Sequence, residues 1–293
     1  MAKKEIDLSI IIISYNTEKL TLSCIKSVQK FSPKKYSYEI VVVDNDSKDQ
    51  TVEKINNLKI NNLTLIQSKT NLGFSGGNRL AIEKTNSKYV LLLNSDTKIT
   101  QPVFDEMVEY MESNQLIGIS SCGLKNSDGS NQVSGGYFPN IFRVFLWMTA
   151  IQRLPFMDNI FKPFHPKYAF DSDRNVDWVT GAFFLIRRET IEKIGNFDKD
   201  YFMYTEEVDF CFRAKKAGYE VKILPSINII HYGGASSTQE FAIISEYKGI
   251  KTFYKKHYPS WQMPILRTFL FIGTLIRYLF VSNKTYGKAL SQI

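Results

Sequence analysis

The sequence predicts an α/β protein built on a mostly parallel, doubly wound sheet, and three observations support this fold class. Short runs of β-branched and leucine residues recur through the first 120 positions and are apolar throughout, as strands are when both faces of their sheet are covered. Helical segments separate these runs, which is the order of successive βαβ units. Polar residues follow each run directly, at the edge of the sheet where such folds bind their ligands.

The elements can be placed in order along the chain. Strands are predicted over Leu8–Ile13, Glu39–Val43, Leu63–Ile66 and Tyr89–Leu93, and crossover helices over Glu18–Lys30, Asp49–Asn57 and Gly76–Thr85. The stretch from Tyr137 to Tyr168 is aromatic, interrupted by prolines and poorly periodic, so we interpret it as an insertion over the site. A second α/β portion begins at Val176 and runs to about Ser237.

We expect the α/β domain to occupy residues 1–240, with halves of about 1–120 and 121–240, and a tail to occupy residues 241–293. That tail is strongly basic: it has eight basic residues and one acidic residue, Glu246, whereas the whole chain has a formal net charge of +8. The basic residues are Lys248, Lys251, Lys255, Lys256, Arg267, Arg277, Lys284 and Lys288.

A basic tail that also carries aromatic residues has two interpretations. If residues 264–288 form one helix, four basic residues share a face opposite the apolar ones, and these are Arg267, Arg277, Lys284 and Lys288. That pattern is typical of a helix lying at a membrane surface. The alternative is a helix packed on the domain with a solvated basic edge. Nucleic acid is not expected as a partner, because no nucleic-acid-binding motif accompanies the charge.

Composition and cysteine usage limit the class of protein. The chain has 293 residues, 44% of them hydrophobic, which is enough to bury a full core and excludes a disordered chain. Cys24, Cys122 and Cys211 are widely spaced and odd in number, which predicts buried thiols rather than disulfides or a metal site. The N-terminus lacks the apolar segment of a secretory signal. We expect a cytoplasmic protein, peripheral at the inner face of the cell membrane.

Common nucleotide-binding motifs are absent from the sequence. No Gly-x-Gly-x-x-Gly follows the first strand and no glycine loop ends in Lys-Ser or Lys-Thr, which disfavours dehydrogenases and the usual nucleotide hydrolases. The informative residues should therefore be the polar ones that follow each strand. They are Ser14-Tyr15-Asn16, Asp44-Asn45-Asp46, Asn71 with Gly73, and Asn94-Ser95-Asp96.

Two carboxylates at strand ends are candidate ligand-binding residues. Asp44 ends the second strand, where a carboxylate can accept the imide N–H of uracil or thymine, although such a residue can also cap a helix. Asp96 comes shortly after the strand over Tyr89–Leu93, where it can hold a divalent cation against a diphosphate. The alternative for Asp96 is a turn, because asparagine, serine and aspartate are turn formers.

The densest acidic cluster in apolar surroundings is Thr205-Glu206-Glu207-Val208-Asp209. Acids in the first turn of a helix are stabilised by its macrodipole, which would explain them without any catalytic role. Crowding and burial also raise the pKa of a carboxyl group toward the range that a general base needs. Glu206, Glu207 and Asp209 are therefore the candidate catalytic residues.

One histidine stands in a context that suits a metal ligand. His231 ends an apolar run and precedes Tyr232-Gly-Gly. A lone histidine is usually structural, but at a strand end its neutral imidazole can ligate a metal. His165 and His257 stand in no such context, and we assign them no role.

Taken in order, these segments resemble the family 2 inverting glycosyltransferases of the GT-A fold, over roughly Leu8 to Ser237. Within that family the chain looks most like the rhamnosyltransferase-like branch. The motifs that carry the likeness are Asn71-Leu-Gly-Phe-Ser-Gly-Gly-Asn78, Gly181-Ala-Phe-Phe-Leu-Ile-Arg-Arg188, Gly195-Asn-Phe-Asp198 with Tyr204-Thr-Glu-Glu-Val-Asp209, and His231-Tyr-Gly-Gly-Ala-Ser236.

The resemblance implies a role for each position. The nucleotide pocket would be lined by Ser14, Tyr15 and Asn16, with Asp44 recognising the base, and its ribose and diphosphate side would be shaped by Asn71, Gly73, Phe74 and Asn78. Asp96 takes the second position of the family's Asp-x-Asp metal motif. Asn94 takes the first position, so one carboxylate and His231 would hold the Mg²⁺ or Mn²⁺ cofactor.

The same resemblance implies the chemistry. Glu207 stands where the family usually has the aspartate that acts as catalytic base, with Glu206 and Asp209 as alternatives. The Gln-x-x-Arg-Trp motif of processive members is absent, which implies one sugar per binding event. The implied reaction is a metal-dependent, inverting transfer from dTDP-L-rhamnose to a lipid-linked or cell-surface saccharide. A UDP-sugar donor, or an inactive nucleotide- or glycan-binding protein of the same fold, is the alternative.

Overall fold

The computed structural model describes residues 6–151, 161–234, 238–281 and 284–293. Its first half alternates strands and helices, as predicted: β1 (Ile6–Ser14), α1 (Glu18–Lys30), β2 (Tyr38–Asp44), α2 (Thr51–Asn56), β3 (Leu63–Gln67), α3 (Gly73–Lys84) and β4 (Ser87–Leu93). The four strands are parallel and lie in the order β3-β2-β1-β4. Their carboxyl ends therefore meet at one edge of the sheet, where the chain places its polar residues.

Both faces of this sheet are buried, which explains the continuous apolar runs. Ile11 packs with Val41 in one core cluster, whereas its neighbours Ile10 and Ile12 pack with Val42 in a second cluster on the other face. Successive side chains of a strand point to opposite faces, so a strand with two covered faces needs an apolar residue at every position.

The second half completes a ten-stranded sheet and contributes a small two-stranded one. Its elements are β5 (Thr97–Lys98), α4 (Phe104–Ser113), β6 (Ile117–Lys125), β7 (Asn131–Gln132), β8 (Gly135–Gly136), α5 (Ile141–Met148), β9 (Arg174–Asn175), β10 (Trp178–Val179), β11 (Phe183–Arg187), α6 (Arg188–Ile194), α7 (Glu206–Lys216) and β12 (Glu220–His231). Strand β11 runs antiparallel between β4 and β6, β12 runs parallel to β6, and β5 pairs antiparallel with the end of β12. The predicted α/β class is confirmed.

A buried arginine joins the two halves. The Arg187 side chain is 2% exposed, and its guanidinium donates to the Tyr89 hydroxyl at 3.0 Å and to the carbonyls of Ile117 and Met111 at 3.2 and 2.6 Å. A buried charge is tolerated only when its hydrogen bonds are satisfied. These bonds fasten β11 to β4, β6 and α4, and so fix the antiparallel strand within the parallel sheet.

Among the residues that the structure describes, the C-terminal region forms α8 (Gln239–His257), α9 (Gln262–Val281) and α10 (Lys284–Leu290). The single helix considered over 264–288 includes residues 282 and 283, which lie outside the described residues. Tyr247 and Phe253 of α8 and Leu266 and Leu270 of α9 belong to the same core cluster as the sheet. The tail therefore shares the core of the domain. The boundary between domain and tail at residue 240 stays a prediction.

The predicted arrangement of basic residues on α9 is wrong. Arg277 lies on the packed side of the helix, where its guanidinium donates to the Trp147 carbonyl of α5 at 2.7 Å. Nearby, Oγ1 of the buried Thr274 is hydrogen-bonded to the Tyr247 hydroxyl at 2.9 Å. The side chain of Lys284 lies outside the described residues. The guanidinium of Arg277 therefore faces inward, whereas Arg267 of the same helix is exposed.

The exposed side of α9 is mostly apolar. Its exposed large side chains are Ile265, Phe271, Ile272, Ile276, Tyr278, Leu279 and Phe280, and the last two are 65% and 84% exposed. Residues Gln262–Phe280 form a helix of 19 residues with a mean hydropathy of 1.4, long and apolar enough to cross a membrane by length and composition. We define the seven exposed residues as the apolar face of α9.

Candidate active site

A pocket of about 620 Å³ opens where the carboxyl ends of β1, β2 and β4 meet. Nine of the predicted site residues line it: Tyr15, Asn71, Gly73, Phe74, Asn94, Asp96, Glu206, Glu207 and His231. Within the described part of the chain, its lining does not include Ser14, Asn16, Asp44, Asn78 or Asp209. The pocket thus brings strand ends from the first half together with helix α7 and strand β12 from the second.

Strand pairing brings the two predicted metal ligands together. In the β5–β12 ladder His231 lies opposite Thr97, and the Tyr232 amide donates to the Asp96 carbonyl at 2.9 Å. His231 Nε2 consequently lies 3.4 Å from Asp96 Oδ1, with both side chains mostly buried. An imidazole nitrogen and a carboxylate oxygen thus face each other in the pocket wall.

This pair has the chemistry to hold one divalent cation. Carboxylate oxygen suits Mg²⁺ and Mn²⁺, and imidazole suits several divalent metals. No third histidine, cysteine or acid completes a metal cluster among the residues that the structure describes. The remaining coordination positions would therefore fall to diphosphate oxygens and waters, as is usual where Mg²⁺ is bound together with phosphates.

The two glutamates begin helix α7 after a strained turn. Tyr204 and Thr205 have φ values of 70° and 73°, in the left-handed region that costs a non-glycine residue free energy. Helix α8 packs so closely against this turn that a Cβ added to Gly249 would lie 2.4 Å from Thr205 Oγ1. Strain of this kind persists only where the surroundings enforce it, and it is frequent at functional sites.

Burial leaves both glutamates short of partners. Among the residues that the structure describes, no hydrogen-bond partner reaches the buried Oε2 atoms of Glu206 and Glu207. Burial raises the pKa of Glu207 to about 7, to which the charge of Glu246 also contributes. Burial and the charge of Glu207 raise the pKa of Glu206 well above its usual range. A carboxyl group with a pKa near neutrality suits a general base.

Asp209 is held away from the pocket. Its carboxylate accepts from Arg213 Nε at 2.8 Å and lies 2.7 Å from His257 Nε2, and it is 1% exposed. Residues two positions apart are about 200° apart around a helix, so Asp209 and Glu207 face different directions. This geometry favours an ion-pair role for Asp209 and a pocket role for Glu206 and Glu207.

Further polar atoms are buried at the nucleotide side of the site, where Asn45 lines the pocket and Asp44 and Asn78 lie outside its lining. Asp44 Oδ1 accepts from the Ser47 amide at 3.0 Å, whereas no partner within the described residues reaches its buried Oδ2 atom. Asn45 Nδ2 donates to the Gly73 carbonyl at 2.9 Å. Asn78 Nδ2 donates to the Phe74 carbonyl at 2.9 Å. The free Asp44 oxygen is the acceptor that an imide N–H would need.

Gly73 allows helix α3 to start against the loop that carries the glutamates. Its φ is +70°, and an added Cβ would lie 2.2 Å from the Phe202 carbonyl oxygen. The Gly73 amide donates to Asn71 Oδ1 at 2.9 Å. Only glycine allows both this positive φ and this close approach without strain. The start of α3 therefore packs directly against the segment that precedes α7.

The side chains of Ser14 and Asn16 form hydrogen bonds at the end of β1, outside the pocket lining. Ser14 Oγ lies 2.8 Å from Thr21 Oγ1, and Thr17 Oγ1 links this hydroxyl group to Ser95 at 3.3 Å. Asn16 Oδ1 accepts from the Lys48 amide at 2.7 Å. These bonds tie the ends of β1, β2 and β4 to one another and leave Tyr15 in the pocket lining.

A second cavity, of about 360 Å³, adjoins the first through Thr180, Tyr204 and Glu207, which line both. Its wall contains the ion pair between His165 Nε2 and Glu246 Oε1, at 2.7 Å. We call it the second cavity. Sequence reasoning missed these residues, because His165 lies in an aperiodic stretch and Glu246 is the one acid of a basic tail.

Comparison with known proteins identifies the family to which this chain belongs. The family model described as Glycosyl transferase family 2 matches residues 9–195. The rhamnosyltransferase WbbL of Escherichia coli K12 is 30% identical over 168 residues, or 55% of this chain and 61% of that protein, which is less than two thirds of its length. The N-acetylglucosaminyl-diphospho-decaprenol L-rhamnosyltransferase of Mycobacterium tuberculosis is 23% identical over 251 residues, 78% of each chain.

A solved structure confirms the GT-A fold. The mannosyltransferase PcManGT from Pyrobaculum calidifontis, solved in complex with GDP-Man and Mn²⁺, matches with a TM-score of 0.60 at 15% identity. The match covers 99% of this chain and 75% of that one. At this identity the likeness concerns the fold alone.

The buried Glu206 carboxyl should make stability depend on pH. Because its pKa is raised in the folded state, the native protein keeps this proton at a pH where the unfolded chain has lost it. Stability should therefore fall as pH rises above the unfolded value of about 4.3. We expect Glu206→Gln, which is always neutral, to raise the melting temperature by several degrees at pH 8, at about 2–4 °C per kcal/mol, and to change it little at pH 5.

Thermal unfolding followed by circular dichroism measures this difference. Glu83→Gln is the matched control, because Glu83 is 57% exposed and pairs with Arg79 on the surface of α3. A lower melting temperature for Glu206→Gln than for wild type at pH 8 would show that the carboxylate is stabilised in the fold.

Proposed function

The chain belongs to glycosyl transferase family 2, and from this premise we propose that it transfers one sugar, with inversion, from a nucleotide-diphosphate sugar to a hydroxyl of a lipid-linked saccharide. One observation carries the proposal: a single pocket holds a carboxylate with an unpartnered oxygen, Glu207, and the Asp96–His231 pair. The first donor to consider is dTDP-L-rhamnose, because two relatives are rhamnosyltransferases by name. A UDP-sugar is the alternative donor.

Glu207 is the proposed general base. Its carboxylate would accept the proton of the acceptor hydroxyl as the new glycosidic bond forms and the bond to the diphosphate breaks. Such proton transfer typically contributes about 10²–10⁴-fold to the rate. Its pKa of about 7 keeps a large fraction ionised at neutral pH while leaving it basic enough to take the proton. Glu206 is buried beside it.

Asp96 and His231 are the proposed ligands of Mg²⁺ or Mn²⁺. When bound there, the cation would stabilise the negative charge of the departing diphosphate. The chain contributes the position of these ligands: β5 fixes Asp96, and the end of β12 fixes His231 at 3.4 Å from it. The unpartnered Asp44 oxygen is proposed to accept the imide N–H of the base, which suits thymine and uracil alike.

The second cavity is the proposed acceptor site. Glu207 borders both cavities, so a hydroxyl that enters from the second cavity meets the base on the side away from the nucleotide pocket. The His165–Glu246 pair is 34% and 24% exposed and can hydrogen-bond sugar hydroxyls. Trp178 supplies an aromatic surface in the same wall.

The direct test is a donor screen with the wild type and with Glu207→Gln, which lacks the proposed base. Purified protein is offered dTDP-L-rhamnose, common UDP-sugars and GDP-mannose with Mn²⁺ and an N-acetylglucosaminyl-diphospho-lipid acceptor, and nucleotide release is measured. We expect turnover with one donor, and a loss of about 10²–10⁴-fold in Glu207→Gln with little change in donor affinity.

Three results would count against this proposal. Turnover of none of these donors, with nucleotide binding intact in calorimetry, would favour an inactive nucleotide-binding protein. Full activity of Glu207→Gln beside inactive Glu206→Gln would move the base to Glu206. Unchanged turnover in EDTA would remove the metal from the reaction.

The acceptor assignment predicts a selective effect of Glu246. Glu246→Gln keeps the shape but removes the charge that orients His165, so we expect the KM for the acceptor to rise about 10-fold while the KM for the donor stays unchanged. Glu240→Gln is the matched control, since Glu240 lies on the same helix and pairs with Lys288 on the surface. Equal effects on both KM values would contradict an acceptor role for the second cavity.

The apolar face of α9 is proposed to rest on an anionic membrane surface. Apolar side chains that are this exposed are costly in water, and a helix with such a face binds the lipid interface. Arg267 of α9 is exposed, and it lies close enough to Lys251 of α8 that, after burial, the charges of Arg267 and Lys248 lower the pKa of Lys251. Basic residues near an anionic leaflet contribute about 1 kcal/mol each. The charge complementarity therefore favours lipid as the occupant of this face.

Vesicle flotation tests the membrane contact. We expect wild-type protein to float with vesicles of equal parts phosphatidylcholine and phosphatidylglycerol at low salt, and less at high salt. The double variant Leu279→Glu, Phe280→Glu should stay unbound. Leu116→Glu is the control, because Leu116 is 67% exposed on the edge between α4 and β6. Failure of the wild type to float at low salt would end the membrane proposal.

A further inference from the structure

Gln132, which sequence reasoning did not single out, contacts His231 at two points. Its Nε2 donates to the His231 carbonyl at 2.7 Å, and its Oε1 lies 2.9 Å from His231 Nδ1. The same Nε2 also donates to Asn126 Oδ1. Gln132 thus holds both the backbone and the ring of the residue that ends β12.

These contacts determine which way the amide and the imidazole are oriented. A backbone carbonyl can only accept a hydrogen bond, so the atom of Gln132 that faces the His231 carbonyl must be the nitrogen. The oxygen of Gln132 then faces His231 Nδ1, and an amide oxygen can only accept. Nδ1 of His231 must therefore carry a proton.

A neutral imidazole has one protonated nitrogen, so protonation at Nδ1 leaves a lone pair on Nε2. That lone pair points toward Asp96 Oδ1, 3.4 Å away. Two electron-rich atoms at this distance repel each other unless a second ring proton or a metal cation lies between or beside them. When the ring is neutral, the arrangement is that of a cation site whose histidine is in its ligating form.

We propose that Gln132 is a positioning residue that fixes His231 in the Nδ1-protonated tautomer and holds its Nε2 toward Asp96. The inference rests on the proposed function, because it gives the Asp96–His231 pair its role as metal ligands. Gln132 is not among the described residues that line the pocket, so it acts through His231. Outer partners of metal-bound histidines typically change metal affinity by about 10–100-fold when they are removed.

Topology explains why a glutamine can reach this position. Gln132 lies on the two-residue strand β7, which pairs with the end of β6 so that Gln132 lies opposite Leu124. The neighbouring residue Lys125 of β6 lies opposite Ile230 of β12. The β7 edge and the end of β12 therefore flank the same stretch of β6, which brings Gln132 and His231 within reach.

The tautomer can be measured without metal, donor or acceptor. The chain has three histidines, so long-range ¹H–¹⁵N spectra at pH 8 resolve each ring, and His231→Asn identifies the relevant signals. We expect the Nδ1-protonated form in the wild type. We expect Gln132→Ala to shift to the Nε2-protonated form.

Binding of Mn²⁺ alone, followed by electron paramagnetic resonance, is the second readout. Gln132→Ala should bind Mn²⁺ about 10–100-fold more weakly than wild type. Gln101→Ala is the matched control, because Gln101 Nε2 donates to the Asn228 carbonyl on the same strand β12 at 3.1 Å without touching the His231 ring.

Two outcomes would overturn the proposal: a wild-type His231 protonated at Nε2 at pH 8, or a Gln132→Ala variant that keeps both the Nδ1 tautomer and the Mn²⁺ affinity. The first needs no variant of Gln132, so it decides even if Gln132→Ala fails to fold. A wild type with the Nδ1 tautomer that binds no Mn²⁺ would support the positioning of the ring and count against the metal part of the proposed function.

Discussion

The pairing of the two-residue strand β5 with the end of β12 is the contact on which the site depends. It places Thr97 opposite His231 and so brings Asp96 to the histidine that ends the last strand. Behind it, Thr97 Oγ1 donates to the Asn94 carbonyl at 2.7 Å, which ties β5 back to β4. Backbone geometry, more than side-chain flexibility, therefore sets the distance between the two proposed metal ligands, as preorganisation of a charged site requires.

The site lowers stability in ways that the rest of the fold must offset. Two consecutive residues in left-handed conformation cost about 1–3 kcal/mol each, and the buried carboxyls of Glu206 and Glu207 add a desolvation cost. The sheet with two covered faces and the satisfied guanidinium of Arg187 supply the compensating stability. Helix α8 contributes directly, because Gly249 lets it pack against the strained turn. This explains why the C-terminal helices share the core of the domain.

The sequence was most informative where a residue's environment follows from its own segment. Continuous apolar runs predict strands covered on both faces, and polar residues after parallel strands predict the pocket edge, so Asp96 and Glu207 could be singled out. Partners supplied by distant segments could not be foreseen. Arg277 turns inward because a carbonyl of α5 accepts from it, and His257 holds Asp209 from α8. Gln132 lies on a strand too short to give a periodic signal.

One residue of α5 joins the proposed membrane face to the proposed acceptor site. The Trp147 carbonyl accepts from Arg277 of α9, and the Trp147 ring lies 5.4 Å from the ring of His165 in the second cavity wall. Helix α5 thus contacts both the helix with the exposed apolar face and the histidine of the proposed acceptor site. An acceptor carried on a lipid has its saccharide and its chain in one molecule, and it needs a sugar site at a fixed height above the bilayer. A rigid aromatic connection between the two surfaces meets that need, because a flexible tail would let the distance between Glu207 and the membrane vary.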